Sequence, residues 1–130
     1  MTSKSLSLGK TGEKLAVSYL QARGYTIIVR NYRLRFGEID IIADDGPTLV
    51  FVEVKTRVGT SFGPPFESVT LHKQRQMSKV ALEYIGRHNQ ADRPARFDVV
   101  GVLFPAGETY FAGPPKIEVV QDAFNLCYGV

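Results

Sequence analysis

Three charged side chains interrupt two of the most apolar segments of the sequence. Residues 37–57, GEIDIIADDGPTLVFVEVKTR, have the pattern of two hydrophobic strands around a turn, yet they include Asp40, Glu53 and Lys55. An isolated ionised carboxylate in an apolar core is so costly that it is paired, protonated or bound to a metal. These side chains therefore predict either an ion-pair network or a site that binds a cation.

Strand alternation predicts how these side chains are arranged. On the first strand, one face carries Glu38, Asp40 and Ile42 and the other carries Ile39, Ile41 and Ala43. On the second strand, one face carries Phe51, Glu53, Lys55 and Arg57 and the other carries Val50, Val52 and Val54. A turn centred on Gly46-Pro47 would bring Asp40 opposite Glu53 or one step diagonal to it, and directly opposed Cβ atoms lie about 5 Å apart. We therefore expect Asp40, Glu53 and Lys55 to project from one sheet face into a shared cleft.

Two carboxylates at this separation repel each other unless a cation lies between them. Lys55 supplies one positive charge, whereas Mg²⁺ supplies two, needs few protein carboxylates and keeps several waters. The alternative is a cross-strand ion-pair network on a solvated sheet face, which is the common explanation of an isolated E-x-K. The metal site is favoured here because the charges interrupt strands that otherwise look buried on both faces.

Helix and strand patterns follow one another along the chain and must position these residues. Apolar periodicity and turn residues predict helices over Ser7 to Arg23 and Val69 to Arg87, strands over Tyr25 to Leu34 and Arg96 to Phe104, the two charged strands between them, and a weaker strand over Thr109 to Val120. With short links, this order favours an α/β sheet with an antiparallel hairpin part and a parallel crossover. The 130 residues fit one domain.

Composition narrows the class of protein. The 44% hydrophobic and 22% charged residues are ordinary for a globular domain. No apolar run approaches the roughly 20 residues of a membrane span, and residues 1–10 lack the apolar region of a signal peptide. A single cysteine, Cys127, cannot form an internal disulfide, so we expect a cytoplasmic protein that does not contact a membrane. The net charge of +3 permits a polyanionic partner without establishing one.

Five stretches of the sequence resemble the motifs of a known family. GEKLAVSYLQARGY, RNYR, GEIDIIA, FVEVKTR and RFDVV resemble, in this order, the YraN-like family of small bacterial proteins. Asp40, followed by Glu53-Val54-Lys55 on the next strand after a helix with Glu13, resembles the PD-(D/E)xK nuclease superfamily. The YraN-like family is similar to Holliday-junction resolvases and is described as a family of predicted endonucleases.

The resemblance implies a restriction-endonuclease-like αβββαβ core over about residues 9–124, within one domain of residues 1–130, and Mg²⁺-dependent cleavage of DNA with Mn²⁺ as a substitute. By position it makes Asp40 and Glu53 the metal ligands, Lys55 the catalytic lysine and Glu13 a further catalytic acid. The metal would polarise the scissile phosphate, and we assign Lys55 an electrostatic role. Ile39 departs from the pattern, since it stands where the superfamily name has Pro.

Basic residues near the charged strands are candidate contacts to DNA. Lys73, Arg75 and Lys79 form a basic stretch on the second helix, and Arg57 lies at the end of the charged strand. Beside an acidic metal site they would hold the phosphate backbone, although a solvated face is the ordinary explanation. Gln76 stands where a further basic residue is expected after Arg75. No aromatic residue interleaves this stretch, so it does not predict a platform for stacking single-stranded bases.

Two other polar groups have structural explanations. Asp98, in RFDVV, alternates within an apolar strand as Asp40 does; it either supports the same site or is a structural hydrogen-bond acceptor, and the second is favoured because buried carboxylates must be paired. His72 and His88 have no Cys or His at zinc-ligand spacing, so a zinc site is not predicted.

The sequence leaves alternative functions open beside the endonuclease. One is a non-catalytic nucleic-acid-binding or scaffold module that retains the fold, and another is a metal-binding domain without a nucleic-acid role. Clustered carboxylates favour the enzyme, because a binding module gains nothing from carboxylates that face a polyanion. The resemblance also implies a homodimer, and Phe62, Phe66, Phe111 and Phe124 are its candidate interface residues, with packing in the core as the alternative for each ring.

Overall fold

A five-stranded mixed sheet lies between two helices in the computed structural model, which describes residues 3–59, 69–105 and 113–127. The elements in chain order are α1 (Ser3–Ala22), β1 (Thr26–Leu34), β2 (Gly37–Asp45), β3 (Thr48–Gly59), α2 (Leu71–Arg87), β4 (Ala95–Pro105) and β5 (Lys116–Phe124). The predicted αβββαβ order is therefore confirmed, and the weaker strand predicted after it is present as β5. This is an α/β fold with a restriction-endonuclease-like core.

The strands lie in the sheet in chain order, from β1 to β5. All neighbouring strands are antiparallel except β3 and β4, which are parallel. Parallel neighbours need a long crossover, and α2 lies in the connection between them. The predicted hairpin between β2 and β3 is also confirmed: its last pair is Asp45↔Thr48, and Gly46 begins the turn with φ 58°, a conformation that glycine adopts without strain.

Each face of the sheet is covered by one helix and forms its own core. The α1 side buries Ala16, Leu20, Tyr25, Ile41, Ala43, Val50, Val52, Val100 and Val102. The α2 side buries Ile39, Ile42, Leu49, Phe51, Met77, Val80, Ala81, Tyr84 and Phe97. Because β3 is covered on both faces, its residues 49–52 form a continuous apolar run rather than an alternating one.

Some element boundaries differ from the prediction. Helix α1 begins at Ser3 instead of Ser7. Helix α2 begins at Leu71, because the Thr70 side chain accepts a hydrogen bond from the Lys73 N–H (3.1 Å) and caps the helix there. Strand β5 continues to Phe124 rather than ending at Val120. Over its described residues, neither helix is long and apolar enough to cross a membrane.

The candidate interface aromatics have different outcomes. Phe124 stacks on Phe97, with ring centroids 4.7 Å apart, and packs against the α2-side core. Its ring therefore has a partner within the chain. Phe62, Phe66 and Phe111 lie outside the described residues.

Candidate active site

Followed from their turn, strands β2 and β3 pair as far as Ile41 and no longer pair at Asp40. Their last backbone pair on this side is Ile41↔Val52. Beyond it, the Val54 N–H donates a 2.8 Å hydrogen bond to Asp40 Oδ2. A carboxylate thus takes the place of the next strand contact, and the Asp40 side chain lies across the gap between the two strands. We call this place, with Asp40, Glu53, Lys55 and Glu13, the fork.

The predicted alternation of β2 is wrong at this point. Ile39 packs in the α2-side core and Ile41 in the α1-side core, so these two residues do not share a face. The β1–β2 pairs Arg30↔Ile41 and Tyr32↔Ile39 place Asn31 opposite Asp40. Asn31 has φ 54°, a left-handed conformation that asparagine adopts more readily than most residues. The regular pleat is therefore broken beside Asp40, and its carboxylate points along the sheet toward β3 instead of away from one face.

Glu53 enters the fork from the α2 side and is only 6% exposed. Lys55 Nζ lies 3.8 Å from Glu53 Oε1, and Lys73 Nζ lies 3.5 Å from Glu53 Oε2. These contacts are long for hydrogen bonds, and Oε2 has no hydrogen-bond partner in the described part of the chain. Burial, followed by the charge of Asp40, raises the pKa of Glu53 to about 7.

Glu13 approaches from α1, on the other side of the sheet. Its buried Oε1 has no hydrogen-bond partner among the described residues, and burial followed by the charge of Asp40 raises its pKa. The neighbouring Gly12 explains how α1 comes so near: a Cβ at this position would clash with Thr56 Oγ1 of β3. The glycine therefore lets the helix backbone approach the strand that carries Lys55.

Asp40 is the common neighbour of both glutamates. After burial, its charge is the largest cause of the raised pKa of Glu13 and of Glu53. The pKa of Asp40 itself is raised by burial and lowered less by the Val54 hydrogen bond and the Lys73 charge. A cation at the fork would favour the ionised form of all three carboxyl groups.

The donor set suits a cation that keeps part of its water shell. Within residues 3–59, 69–105 and 113–127, no three His, Cys, Asp or Glu side chains are arranged to enclose a metal ion by themselves. Mg²⁺ does not need such an enclosure, because it usually binds one or two carboxylates and takes its other oxygens from water and substrate phosphate. Asp40 and Glu53 would supply its protein oxygens: Asp40 Oδ2 accepts the Val54 N–H, and Glu53 Oε2 accepts no hydrogen bond in the described part of the chain, with Lys73 Nζ 3.5 Å away.

The predicted basic residues divide into two groups. Arg57, Arg75 and Lys79 are exposed. Lys73, in contrast, is brought to Glu53 as its ion-pair partner, a contact that the sequence analysis missed. Its position three residues after the helix cap Thr70 was the available signal, since it places Lys73 in the first turn of α2.

Asp98 forms its hydrogen bonds with residues outside the fork. It is fully buried and accepts hydrogen bonds from Arg96 Nε (2.9 Å), Tyr25 OH (3.2 Å) and the Asp122 N–H (3.0 Å). These contacts tie β4 to the start of β1 and to β5. The favoured interpretation of Asp98 as a structural hydrogen-bond acceptor agrees with this arrangement.

Comparison with known proteins decides the family. The profile of the "Uncharacterised protein family UPF0102" matches residues 12–102, which include every fork residue. The chain belongs to the UPF0102 family. A UPF0102 protein of Geobacter metallireducens is 49% identical over 128 residues, covering 98% of this chain and 100% of that protein. One of Geotalea uraniireducens is 52% identical over 122 residues (94% and 92%), and one of Rhodococcus opacus is 46% identical over 120 residues (92% and 98%).

UPF0102 membership confirms the predicted YraN-like family. The family profile covers the fork residues, but the description of the family names no activity. One feature that the sequence analysis did not find is a basic hairpin near the fork. The residues Arg33, Leu34, Arg35, Phe36, Gly37 and Glu38 line an open groove with Lys73 and Gln76. The alternation of cations with an apolar and an aromatic residue in RLRF was the signal for it.

Proposed function

We propose that this UPF0102 protein is a metal-dependent endonuclease that hydrolyses phosphodiester bonds in DNA, with branched or recombination-type structures as substrates. The observation that carries the proposal is the meeting of three carboxyl groups at Asp40, beside Lys55: Glu53 is buried, and Asp40 and Glu13 are partly buried. Two of these groups, Glu13 and Glu53, each have a buried oxygen without a hydrogen-bond partner in the described chain. Such oxygens are costly in a purely structural site, and a divalent cation would compensate them.

Each fork residue has a role in this chemistry. Asp40 and Glu53 would hold Mg²⁺ or Mn²⁺, and the Val54 N–H keeps the Asp40 carboxylate in place. When bound, the metal supplies a Lewis acid that polarises a phosphoryl oxygen. Lys55, beside Glu53, would offset the negative charge that develops on the phosphate in the transition state. Glu13 would add a third acidic group from the α1 side.

The surface around the fork supports a nucleic-acid substrate. Arg57, Arg75 and Lys79 are exposed and are available to bind phosphates without reading the base sequence. The chain as a whole carries a net charge of +3. Binding to DNA would therefore weaken as salt rises, because phosphate contacts release counterions.

A cleavage assay tests the proposal. Wild type and Asp40→Asn are incubated with linear, flapped and four-way DNAs in Mg²⁺ or Mn²⁺. We expect wild type to cut and Asp40→Asn to lose at least about 10²-fold in rate, since it removes a metal ligand's charge. Asp44→Asn is the matched control, because it changes an aspartate of the same strand whose partner is Arg93 (2.7 Å). No cleavage by wild type of any DNA, or equal rates for Asp40→Asn, would refute the enzyme.

One observation favours a second candidate, a non-catalytic nucleic-acid-binding module. Lys55 and Lys73 both lie near Glu53 and would partly neutralise the fork without a metal. The two candidates differ in one result: the module binds DNA with strong salt dependence but does not cut it. A domain that binds metal only would show no salt-dependent binding to DNA at all.

We further propose a two-fold pair of subunits on DNA. A resolvase-like enzyme cuts two strands of a symmetric substrate, and a C₂ pair of identical subunits matches that symmetry most simply. Sedimentation at micromolar concentration, with and without a four-way junction, measures the assembly. A monomer in both conditions would contradict the pair and restrict the activity to nicking or flap cleavage.

A further inference from the structure

The tip of the β1–β2 hairpin presents an aromatic ring to solvent. Arg35 and Phe36 form its two-residue turn, which the pair Leu34↔Gly37 closes. Phe36 is 40% exposed. A single exposed apolar side chain is ordinary on a protein surface, so the setting of this ring, rather than its exposure, determines whether it has a function.

The hairpin tip is held against α2 and leads to the fork. A Cβ on Gly37 would lie 3.1 Å from Val80 Cγ2 and 3.4 Å from Gln76 Cβ, which shows how closely the hairpin packs on the helix. Lys73 and Gln76 of α2 then form a groove of about 460 Å³ with residues 33–38. Because Lys73 lines this groove and also pairs with Glu53, one side of the groove lies next to the candidate active site.

Most charges around Phe36 are positive, and Glu83, an acidic residue that lines the same surface, is paired with Arg87 (2.8 Å). Arg35 and Lys79 are exposed and, over the described ranges, form no ion pair with an acidic side chain. Arg33 pairs with Glu38 (3.0 Å), yet its side chain is 74% exposed. A second copy of the chain placed symmetrically on this surface would bring these like charges together. Nucleic acid is therefore the partner that the surface fits.

We propose that the hairpin tip is a wedge that stacks Phe36 on an unpaired base at a branch point in DNA, while Arg33 and Arg35 contact the flanking phosphates. Aromatic side chains stack on exposed bases without sequence preference, and apolar wedges enter disrupted base steps. In a linear duplex every base already stacks on its neighbours, so Phe36 gains a partner only where that stacking is broken. The inference rests on the proposed function for the presence of DNA at the fork.

The backbone predicts the distance between this contact and the cut. Asp40 is four residue steps along the chain from Phe36, which corresponds to at most roughly 13 Å at ~3.3 Å per step. One DNA strand advances about 3.4 Å per nucleotide. The cut is therefore expected within about four nucleotides of the branch point.

Binding measured without divalent metal tests the wedge separately from catalysis. The probes are a flapped duplex with 2-aminopurine at the branch and a linear duplex of the same length. For Phe36→Ala we expect an affinity for the flapped DNA reduced by at least about fivefold, loss of the 2-aminopurine quenching, and linear-duplex affinity within about twofold of wild type. Phe36→Trp should retain both signals, because it keeps an aromatic face. Ile28→Ala is the matched control, since Ile28 is also 40% exposed on β1.

Opposite results overturn the inference. Equal loss on both DNAs, no loss on either, or unchanged quenching in Phe36→Ala would each refute the wedge. A change in the sedimentation of free protein caused by Phe36→Ala would show a protein interface instead. The two proposals fail in distinguishable ways: discrimination without any cleavage leaves the wedge intact and refutes the enzyme, whereas cleavage that ignores Phe36 does the reverse.

Discussion

Two buried carboxylates of this protein differ in how completely their oxygens are paired. Asp98 is fully buried and accepts hydrogen bonds from Arg96, Tyr25 and the backbone of Asp122. Glu53 is nearly as buried, at 6% exposure, but its cationic neighbours lie 3.5 and 3.8 Å away and its Oε2 has no hydrogen-bond partner among the described residues. The same chemical group is thus saturated in one place and available in the other.

The difference accounts for the structural role of Asp98 and is the basis for the proposed role of Glu53. A carboxylate whose partners occupy both oxygens has little capacity left for a ligand, and it ties strands together instead. A buried carboxylate with an oxygen that accepts no hydrogen bond carries a desolvation cost that a distant ion pair only partly offsets. Such a cost is expected where a ligand completes the site.

The largest effect on stability is expected from removing the Asp98 carboxylate and its hydrogen bonds. Among the described residues, Asp98→Ala would leave the partly buried Arg96 with only Asp45 as an ion-pair partner (2.7 Å). Removing one member of a buried pair costs about 3–5 kcal/mol, so we expect the free energy of unfolding to fall by this amount in urea titrations. Metal binding per folded molecule should remain unchanged. A loss below about 1 kcal/mol would contradict the structural role of Asp98.

Removing the charge of Glu53 should change the free energy of unfolding in the opposite direction. Burial raises the pKa of Glu53 from 4.5 to about 7, so between these values the folded state binds more protons than the unfolded state. Without metal, stability contributed by this group is fully present below pH 4.5 and is lost as pH rises to 7. At pH 8, Glu53→Gln should therefore stabilise the apo protein, by up to about 3 kcal/mol.

Urea titrations from pH 4 to pH 8 in a chelator measure this effect. The Glu53→Gln variant should also lose most of the fall in stability between pH 4.5 and 7 that wild type shows. Asp44→Asn serves as the control carboxylate, since it lies on a neighbouring strand and pairs with Arg93. Destabilisation of Glu53→Gln at pH 8 would contradict the claim that the charged fork is costly in the apo protein.

A smaller effect is expected from moving α1 away from the fork. Gly12→Ala would clash with Thr56 Oγ1, and overpacking of this kind costs about 1–3 kcal/mol. It should also lower the cleavage rate, because Glu13 would be displaced. Gly86→Ala is the matched control: it lies in α2 with no atom within 4 Å of the added Cβ and should be neutral or stabilising by up to about 1 kcal/mol. Equal effects of the two substitutions would contradict the close approach of α1.

The sequence was sufficient for the features that depend on pattern and spacing. The apolar run of β3, its charges and the Gly46-Pro47 turn predict the hairpin and bring Asp40 near Glu53. They could not predict the break in alternation, because it depends on the left-handed Asn31 of another strand and on the end of the β2–β3 pairing at Ile41. The cap Thr70 places Lys73 in the first turn of α2, but its contact with Glu53 also depends on how α2 packs on the sheet, which the local sequence does not specify.

Binding of Mn²⁺ measured by paramagnetic broadening of side-chain carboxyl resonances tests the central claim most directly, because it compares the fork and Asp98 in one molecule. We predict that the Asp40 and Glu53 resonances broaden with a dissociation constant of roughly 0.1–10 mM, since a site with two carboxylates relies on substrate to complete the metal shell. The Asp98 resonance should stay sharp, and Asp40→Asn should weaken binding at least about tenfold. Equal broadening of all three resonances, or unchanged binding in Asp40→Asn, would contradict a cation site at the fork.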